Sequence, residues 1–233
     1  MFISLWMDNT HFFAIIVAGG SGKRMNTEIP KQFLLLKGKP VIMHSIETFY
    51  RNPHQPAIIV VLNQNDIALW EQLVTEHDFN IPHTVVAGGA ERFHSVKNGL
   101  DLIDDKDAII AVHDAVRPLV TEKTISNCYQ TALKSGNAVA AIPSKDSVRL
   151  VKNGKSEALD RKAVYLVQTP QTFKLSQLKT AYQQTYNSFF TDDASVVEHA
   201  GFTINLEAGD EDNFKITFKT DLKLAESIFD GKL

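Results

Sequence analysis

An unbroken apolar run, Phe12-Phe13-Ala14-Ile15-Ile16-Val17-Ala18, empties directly into Gly19-Gly20-Ser21-Gly22-Lys23-Arg24-Met25 and, a few residues later, Pro30-Lys31. The run reads as a β-strand covered on both faces, since a half-exposed strand would alternate with polar residues. The loop behind it is suited to phosphate. Glycines let backbone N–H groups approach and surround an anion, and Lys23, Arg24 and Lys31 supply positive charge. An ordinary strand-to-helix turn with solvated basic residues is the competing reading.

Neither common phosphate-loop pattern fits. Lys23 is followed by Arg24 where a Walker A loop needs Ser or Thr, and the third glycine of a dinucleotide fingerprint is replaced by Met25. Pro30 disfavours helix at Ile29, so residues 19–31 are expected to form one long loop over a ligand.

The remaining 200-odd residues set the context. A chain of 233 residues with 44% hydrophobic and 22% charged residues can bury an ample core. No composition shift, repeat or low-complexity segment divides it, so residues 1–233 are read as a single domain. A net charge of −3 argues against a nucleic-acid binder held by bulk electrostatics. Cys128 is the only cysteine, which excludes an intramolecular disulfide and a multi-cysteine metal site, and its place in an expected helix over 122–134 makes it a buried structural thiol. Residues 1–7 lack a basic region and are too short an apolar run for a signal or a membrane span. A soluble, cytoplasmic protein is the expectation.

Helical spacing over 41–50 behind Pro40, a buried strand over 57–62 and a helix over 66–77 give the alternation of a mostly parallel sheet flanked by helices. A short strand over 83–86 ends in Ala87-Gly88-Gly89-Ala90, and a helix through Leu102 opens with Glu91-Arg92-Phe93-His94-Ser95. The glycine pair is either a ligand-facing turn or simply a turn. The strand over 108–112 delivers His113-Asp114-Ala115-Val116-Arg117, at the strand end where α/β folds hold ligands. There Asp114 can meet a divalent cation or a ribose hydroxyl, and Arg117 a phosphate or a neighbouring loop; an internal Asp114–Arg117 pair is the bland alternative.

After a strand over 138–142, the Asn153-Gly154 turn between extended segments over 147–151 and 158–167 signals a hairpin. Such a hairpin has no evident place in the main sheet and is expected to project as an arm, at about 145–168, against a second copy of the chain. Helices follow over 175–186 and behind Thr191, which is read as an N-cap with Asp192 and Asp193 on the first turn. A late strand over 203–206, the segment Gly209 to Thr217 and a helix over 220–229 complete the chain. Lys215 is either a surface lysine or points into the site. His113 is expected to be structural.

No nucleophile elbow, zinc-binding helix motif or His/Cys cluster is present. Cations at Lys23, Arg24, Lys31, Arg117, Arg161 and Lys215, with carboxylates at Asp114, Asp192 and Asp193, suit chemistry by positioning and charge neutralisation, as in phosphoryl or nucleotidyl transfer. Gly19 to Met25 with Pro30-Lys31-Gln32-Phe33, Gly88-Gly89 with Arg92 and Ser95, His113 to Pro118, Asp160-Arg161, Gln168-Thr169-Pro170-Gln171, Thr191 to Ser195 and Asn213 to Thr217 together resemble the 2-C-methyl-D-erythritol 4-phosphate cytidylyltransferases, in order and over nearly the whole chain.

That resemblance implies a Rossmann-like α/β fold with a projecting β-hairpin dimerisation arm, a homodimer, Mg²⁺ as cofactor, and transfer from CTP to a polyol phosphate in the non-mevalonate route to isoprenoid precursors. It implies that Ala18, Gly19, Gly20 and Gly22 wrap the CTP phosphates, and that Arg24 and Lys31 stabilise the five-coordinate α-phosphate. Gly89, Ala90 and Ser95 correspond to cytosine-reading positions, with only a backbone contact carried over at Ala90, where the family often has Asp. Asp114 corresponds to the carboxylate near CTP and the metal, and Lys215 to a cation on the phosphate side. Arg117, Ser147, Arg161, Thr169 and Thr191 correspond to the polyol phosphate pocket, Arg161 reaching it from the partner's arm. A ribitol-5-phosphate cytidylyltransferase and a non-catalytic nucleotide-binding regulator remain the alternatives.

Overall fold

The computed structural model describes residues 11–19 and 29–231. In chain order its elements are β1 (Phe12–Ala18), β2 (Leu35–Leu36), β3 (Lys39–Pro40), α1 (Val41–Arg51), β4 (Ala57–Leu62), α2 (Ile67–Glu76), β5 (Thr84–Ala87), α3 (Arg92–Leu100), β6 (Ile109–Asp114) and α4 (Glu122–Ser135). Then come β7 (Asn137–Pro143), β8 (Arg149–Lys152), β9 (Lys155–Ala158), β10 (Tyr165–Lys174), α5 (Leu175–Ala181), α6 (Asp193–His199), β11 (Leu206–Ala208) and α7 (Lys219–Phe229).

The main sheet has seven strands in the order β11-β7-β10-β6-β1-β4-β5, and β1 lies parallel between β4 and β6. Its side chains alternate between two layers. Ala14, Ile16 and Ala18 pack with Ile42, Ile46, Phe49, Trp70 and Tyr129 on one face, while Ile15 packs with Phe93, Val96, Phe173 and Val197 on the other. That period-2 split explains why the run is apolar throughout: each residue faces one of two helical layers. Complete burial of Ile15 and Ile16 stabilises the fold by about 1.5–3 kcal/mol each.

Helix α1 begins behind Pro40, whose extended φ/ψ of −51°/135° prepares the first turn. Where α1 ends, the buried Asn52 side chain donates to the Glu122 carbonyl and to Ser126 Oγ, both at 3.0 Å, which ties α1 to α4. Helix α4 is capped by the Thr121 hydroxyl and stops at Gly136, whose φ of 92° favours glycine. Cys128 on this helix is buried, and desolvation pushes its thiol up to about 12, as befits a structural residue. Among the described residues, no helix is long and apolar enough to cross a membrane.

Three sequence expectations are corrected. Residues from Tyr165 onward belong not to the hairpin but to β10, a ten-residue strand antiparallel to both β6 and β7. The hairpin proper is β8 and β9, exposed throughout and joined at Asn153 (φ 51°) and Gly154 (φ 74°), a left-handed turn as the Asn-Gly pair demands. Secondly, the N-cap of α6 is Asp192 rather than Thr191: its carboxylate accepts from the Ser195 N–H at 2.9 Å while Ser195 Oγ accepts from the Asp192 N–H. A carboxylate one residue nearer the helix wins because it completes a reciprocal capping box. Thirdly, the late strand is Leu206–Ala208 rather than 203–206, paired parallel to β7.

Candidate active site

The ends of four neighbouring strands converge. Gly19 follows β1, Gly88 and Gly89 follow β5, and Asp114 ends β6, while β10 runs in the opposite direction beside it. The Gly88 N–H donates to the Leu62 carbonyl at the end of β4 (2.6 Å). Ser95, on the first turns of α3, holds the cluster together. Its hydroxyl accepts from the Gly89 N–H at 3.1 Å and donates to the Glu91 carbonyl at 3.2 Å. A Cβ at Gly88 would lie 2.8 Å from that hydroxyl, and one at Gly89 would lie 2.3 Å from His94 Cβ, so the close approach of this turn to α3 requires glycine at both positions. Gly89 and Ala90 are exposed at the surface of the turn.

Asp114 is 8% exposed and has three cationic neighbours. Lys215 Nζ donates to its Oδ2 at 2.8 Å, Arg92 Nε stands 3.5 Å from its Oδ1, and Arg117 Nε stands 3.8 Å from its Oδ2. Burial alone would raise its pKa, but Arg92, Lys215 and Arg117 outweigh that and hold the carboxyl well below the usual carboxylate range. Lys215 therefore points into the site. Arg117 is anchored chiefly elsewhere, its Nη1 donating to the Asn213 carbonyl at 2.7 Å, so it fixes the loop that bears Lys215.

Lys31 joins from the other side. Only 8% exposed, it lies in a 3₁₀ turn (Lys31–Phe33), and its Nζ donates to the Ile216 carbonyl at 3.0 Å, next to Lys215. The same turn is pinned to the end of β1 by Gln32 Nε2, which donates to the Ala18 carbonyl at 2.9 Å. Thr169, on β10, accepts from the Asp114 N–H at 3.1 Å and contacts His113 Nδ1 at 3.0 Å. His113 is wholly buried, which lowers its pKa to about 4 and leaves it neutral.

Sequence reasoning gave Arg92 no role of its own and read Asp193 only as a first-turn acid and candidate carboxylate, without joining the two. Arg92 Nη1 and Nη2 donate to the two oxygens of the fully buried Asp193 at 2.9 and 2.7 Å, and Tyr182 Oη donates to Asp193 Oδ1 at 2.6 Å. Burial works against the Arg92 charge, but Asp193 and Asp114 reverse this and raise its pKa. Arg92, Arg117 and Lys215 thus face the carboxylates of Asp114 and Asp193, and Lys31, held on the Ile216 carbonyl, adds to a positive surplus.

Not every expected residue joins this cluster. Thr191 is exposed one residue before the α6 cap, Ser147 is exposed at the base of the arm, and Arg161, also exposed, donates to the Lys145 carbonyl within the arm. Gly20, Gly22 and Arg24 lie outside the described residues.

A family model described as 2-C-methyl-D-erythritol 4-phosphate cytidylyltransferase matches residues 12–231. The chain belongs to that family. A relative of the same description from Azobacteroides pseudotrichonymphae genomovar. CFP2 is 47% identical over 94% of this chain and 98% of its own length. The relative from Bacteroides fragilis is 44% identical over 92% and 98%. Among solved structures, the 4-diphosphocytidyl-2C-methyl-D-erythritol synthase of Anaerococcus prevotii superposes with a TM-score of 0.80 at 26% identity, covering 95% of this chain and 96% of that one. The Francisella tularensis cytidylyltransferase gives 0.76 at 30% identity, covering 96% and 100%. The chain is thus similar to these cytidylyltransferases in sequence and in overall fold.

Proposed function

We propose that the chain transfers the cytidylyl group of CTP to 2-C-methyl-D-erythritol 4-phosphate, releasing pyrophosphate, as a step toward isoprenoid precursors. Family membership and the positive cluster around Asp114 at the mouth of the glycine turns support this reading, the cluster being the observation that carries it. The reaction joins two phosphate-bearing anions, and their approach is opposed by charge until cations offset it. Lys31 and Lys215, whose Nζ atoms are held by the Ile216 carbonyl and the Asp114 carboxylate, stand ready for the α-phosphate and the incoming phosphate. The family resemblance assigns Arg24, which lies outside the described residues, the same role as Lys31.

The polyol phosphate oxygen attacks the α-phosphorus in line with the departing pyrophosphate. That phosphate is already ionised near neutral pH, so no general base is needed. His113 fits this: it is buried, neutral and committed to hydrogen bonds within the protein. The turn Gly88 to Ser95 would meet cytosine through its backbone, since the Ser95 hydroxyl is already engaged by Gly89 and Glu91.

A divalent cation, Mg²⁺ for this chemistry, fits Asp114 as a single ligand. Asp114 Oδ1 faces Arg92 Nε at 3.5 Å, too long for a strong hydrogen bond, and so keeps a lone pair to offer. No group of three or more His, Cys, Asp or Glu among the described residues would hold a metal unaided, so triphosphate oxygens and water would complete the shell. When bound, the ion would neutralise charge on the triphosphate and the leaving pyrophosphate.

The exposed β8–β9 arm, with Val151 67% and Leu150 44% exposed, supports a homodimer in which each arm covers the other chain and brings Arg161 and Ser147 to the partner's polyol pocket. The test of function is pyrophosphate release with CTP and either methylerythritol phosphate or ribitol 5-phosphate. Turnover with the first is expected, and a clear preference for ribitol phosphate overturns the assignment.

A further inference from the structure

One guanidinium touches three parts of the site. Arg92 is the first residue of α3, directly behind the turn Gly88 to Glu91. Asp193 is the first residue of α6, directly behind Thr191 and the Asp192 cap, and lies 101 residues further along the chain. The two-pronged Nη1/Nη2 contact to Asp193 sets one end of the guanidinium, and Nε then faces Asp114 Oδ1 at 3.5 Å. Tyr182 Oη, donating to Asp193 Oδ1 at 2.6 Å, fixes the carboxylate from α5's side.

We infer that Arg92 is a positioning residue for the transfer reaction: through Asp193 it fixes the Thr191 turn relative to the nucleotide turn, and through Nε it aims the Asp114 carboxylate. This rests on CTP lying at the Gly88–Ser95 turn and the polyol phosphate near Thr191. In-line attack tolerates little error, and a misplacement of about 1 Å between the reacting groups lowers the rate on the order of a hundredfold. A lysine at position 92 keeps the charge but offers a single point donor, which can serve Asp193 or Asp114 but not both in a fixed plane.

The packing around the pair would survive its loosening. Phe93 stacks on Tyr182 at 4.6 Å and on Phe190 at 5.7 Å. Gln171 independently grips the α6 turn, donating to Asp192 Oδ2 at 2.9 Å and accepting from the Ala194 N–H at 2.8 Å. Alignment and folding are therefore separable.

The decisive variant is Arg92→Lys in the full chain, assayed for thermal melting, kcat and the KM of both substrates. A fall in kcat of about ten- to a hundredfold with both KM values raised and a parental melting profile is expected. A kcat and both KM values within about twofold of the parent, even with a lowered melting temperature, would reduce Arg92 to a structural residue and overturn the inference. Should Arg92→Lys fold poorly, Asp193→Asn carries the same test, since it keeps the side-chain shape, and parental constants in it overturn the inference equally. Ser95→Ala and Thr191→Val read the substrate placement separately, each expected to raise the KM of its own substrate alone. Silence in both controls overturns the placement, whereas a silent Arg92→Lys beside responding controls overturns the inference.

Discussion

The Thr169 hydroxyl donates to His113 Nδ1, and not the reverse. His113 Nε2 lies 3.2 Å from the Arg117 carbonyl, which can only accept, so Nε2 bears the proton of the neutral ring and Nδ1 is bare. With the Asp114 N–H already on Thr169 Oγ1, the hydroxyl has one lone pair left and no proton to give. It can accept from a polyol hydroxyl but cannot donate to a phosphate. Thr169→Ser should therefore retain both stability and the KM for methylerythritol phosphate. Thr169→Val leaves two buried groups without partners and should lose about 1–3 kcal/mol in urea unfolding.

Protonating His113 opposes folding. Its folded pKa of about 4 lies below the ordinary 6.5, so between those values the unfolded chain binds a proton that the native one excludes. Stability from this residue is complete above pH 6.5 and is lost as pH falls toward 4, by about 3 kcal/mol in all. His44 and His54 are depressed by burial in the same sense, so the parent's slope contains their shares too. In His113→Asn the decline across pH 6.5 to 4 should be shallower, as chemical denaturation at stepped pH would reveal. Asp114 acts in a different window: its depressed pKa gives stability that is present above the ordinary carboxylate value and disappears only in stronger acid.

Lys31 is held at the site by the protein rather than by the ligand. Because its Nζ already sits on the Ile216 carbonyl, little reorganisation precedes catalysis. Lys31→Met should lower kcat by about a hundred- to a thousandfold while CTP still binds, measured by pyrophosphate release against calorimetric titration. A loss of CTP affinity equal to the loss in rate would mean that the lysine serves binding alone.

The arm carries its own prediction. Val151 and Leu150 expose apolar surface on a two-stranded ribbon, which is marginal without a partner. Leu150→Glu with Val151→Lys should shift the sedimentation profile toward monomer and lower turnover, with most of the loss in the KM for the polyol phosphate. A fully active monomer would exclude a role for Arg161 across subunits.

Much of this was written in local pattern. Strands buried on both faces announce themselves as apolar runs, and glycines after β1 and β5 with Asp114 at the end of β6 mark the strand ends that form the candidate site. Strand β10 escaped because its centre, Gln168-Thr169-Pro170-Gln171, is polar and broken by proline. Those side chains are buried yet satisfied by residues far along the chain: Gln168 by Asp210, Thr169 by His113 on β6, Gln171 by the Asp192 cap of α6. No period reports a polar strand whose partners are far along the chain. The Arg92–Asp193 pair was hidden for the same reason, being joined only by folding. The α6 cap had a signal that was available, the Asp192-x-x-Ser195 spacing of a capping box.

The irregularity in β10 between Val167 and Gln171, where its pairing with β7 shifts register, has a consequence for how such a chain can be altered. The shift already breaks the alternation of faces before Thr169, so parity is strict only over 171–174, where β10 pairs without a break with β6. One residue added or removed there would turn the following side chains to the other face while leaving the hairpin itself intact. Additions at Asn153 and Gly154, beyond the last ladder pair, change no parity at all. The tip of the arm is thus open to insertions, tags or drift, whereas the stretch 171–174 is counted in whole residues.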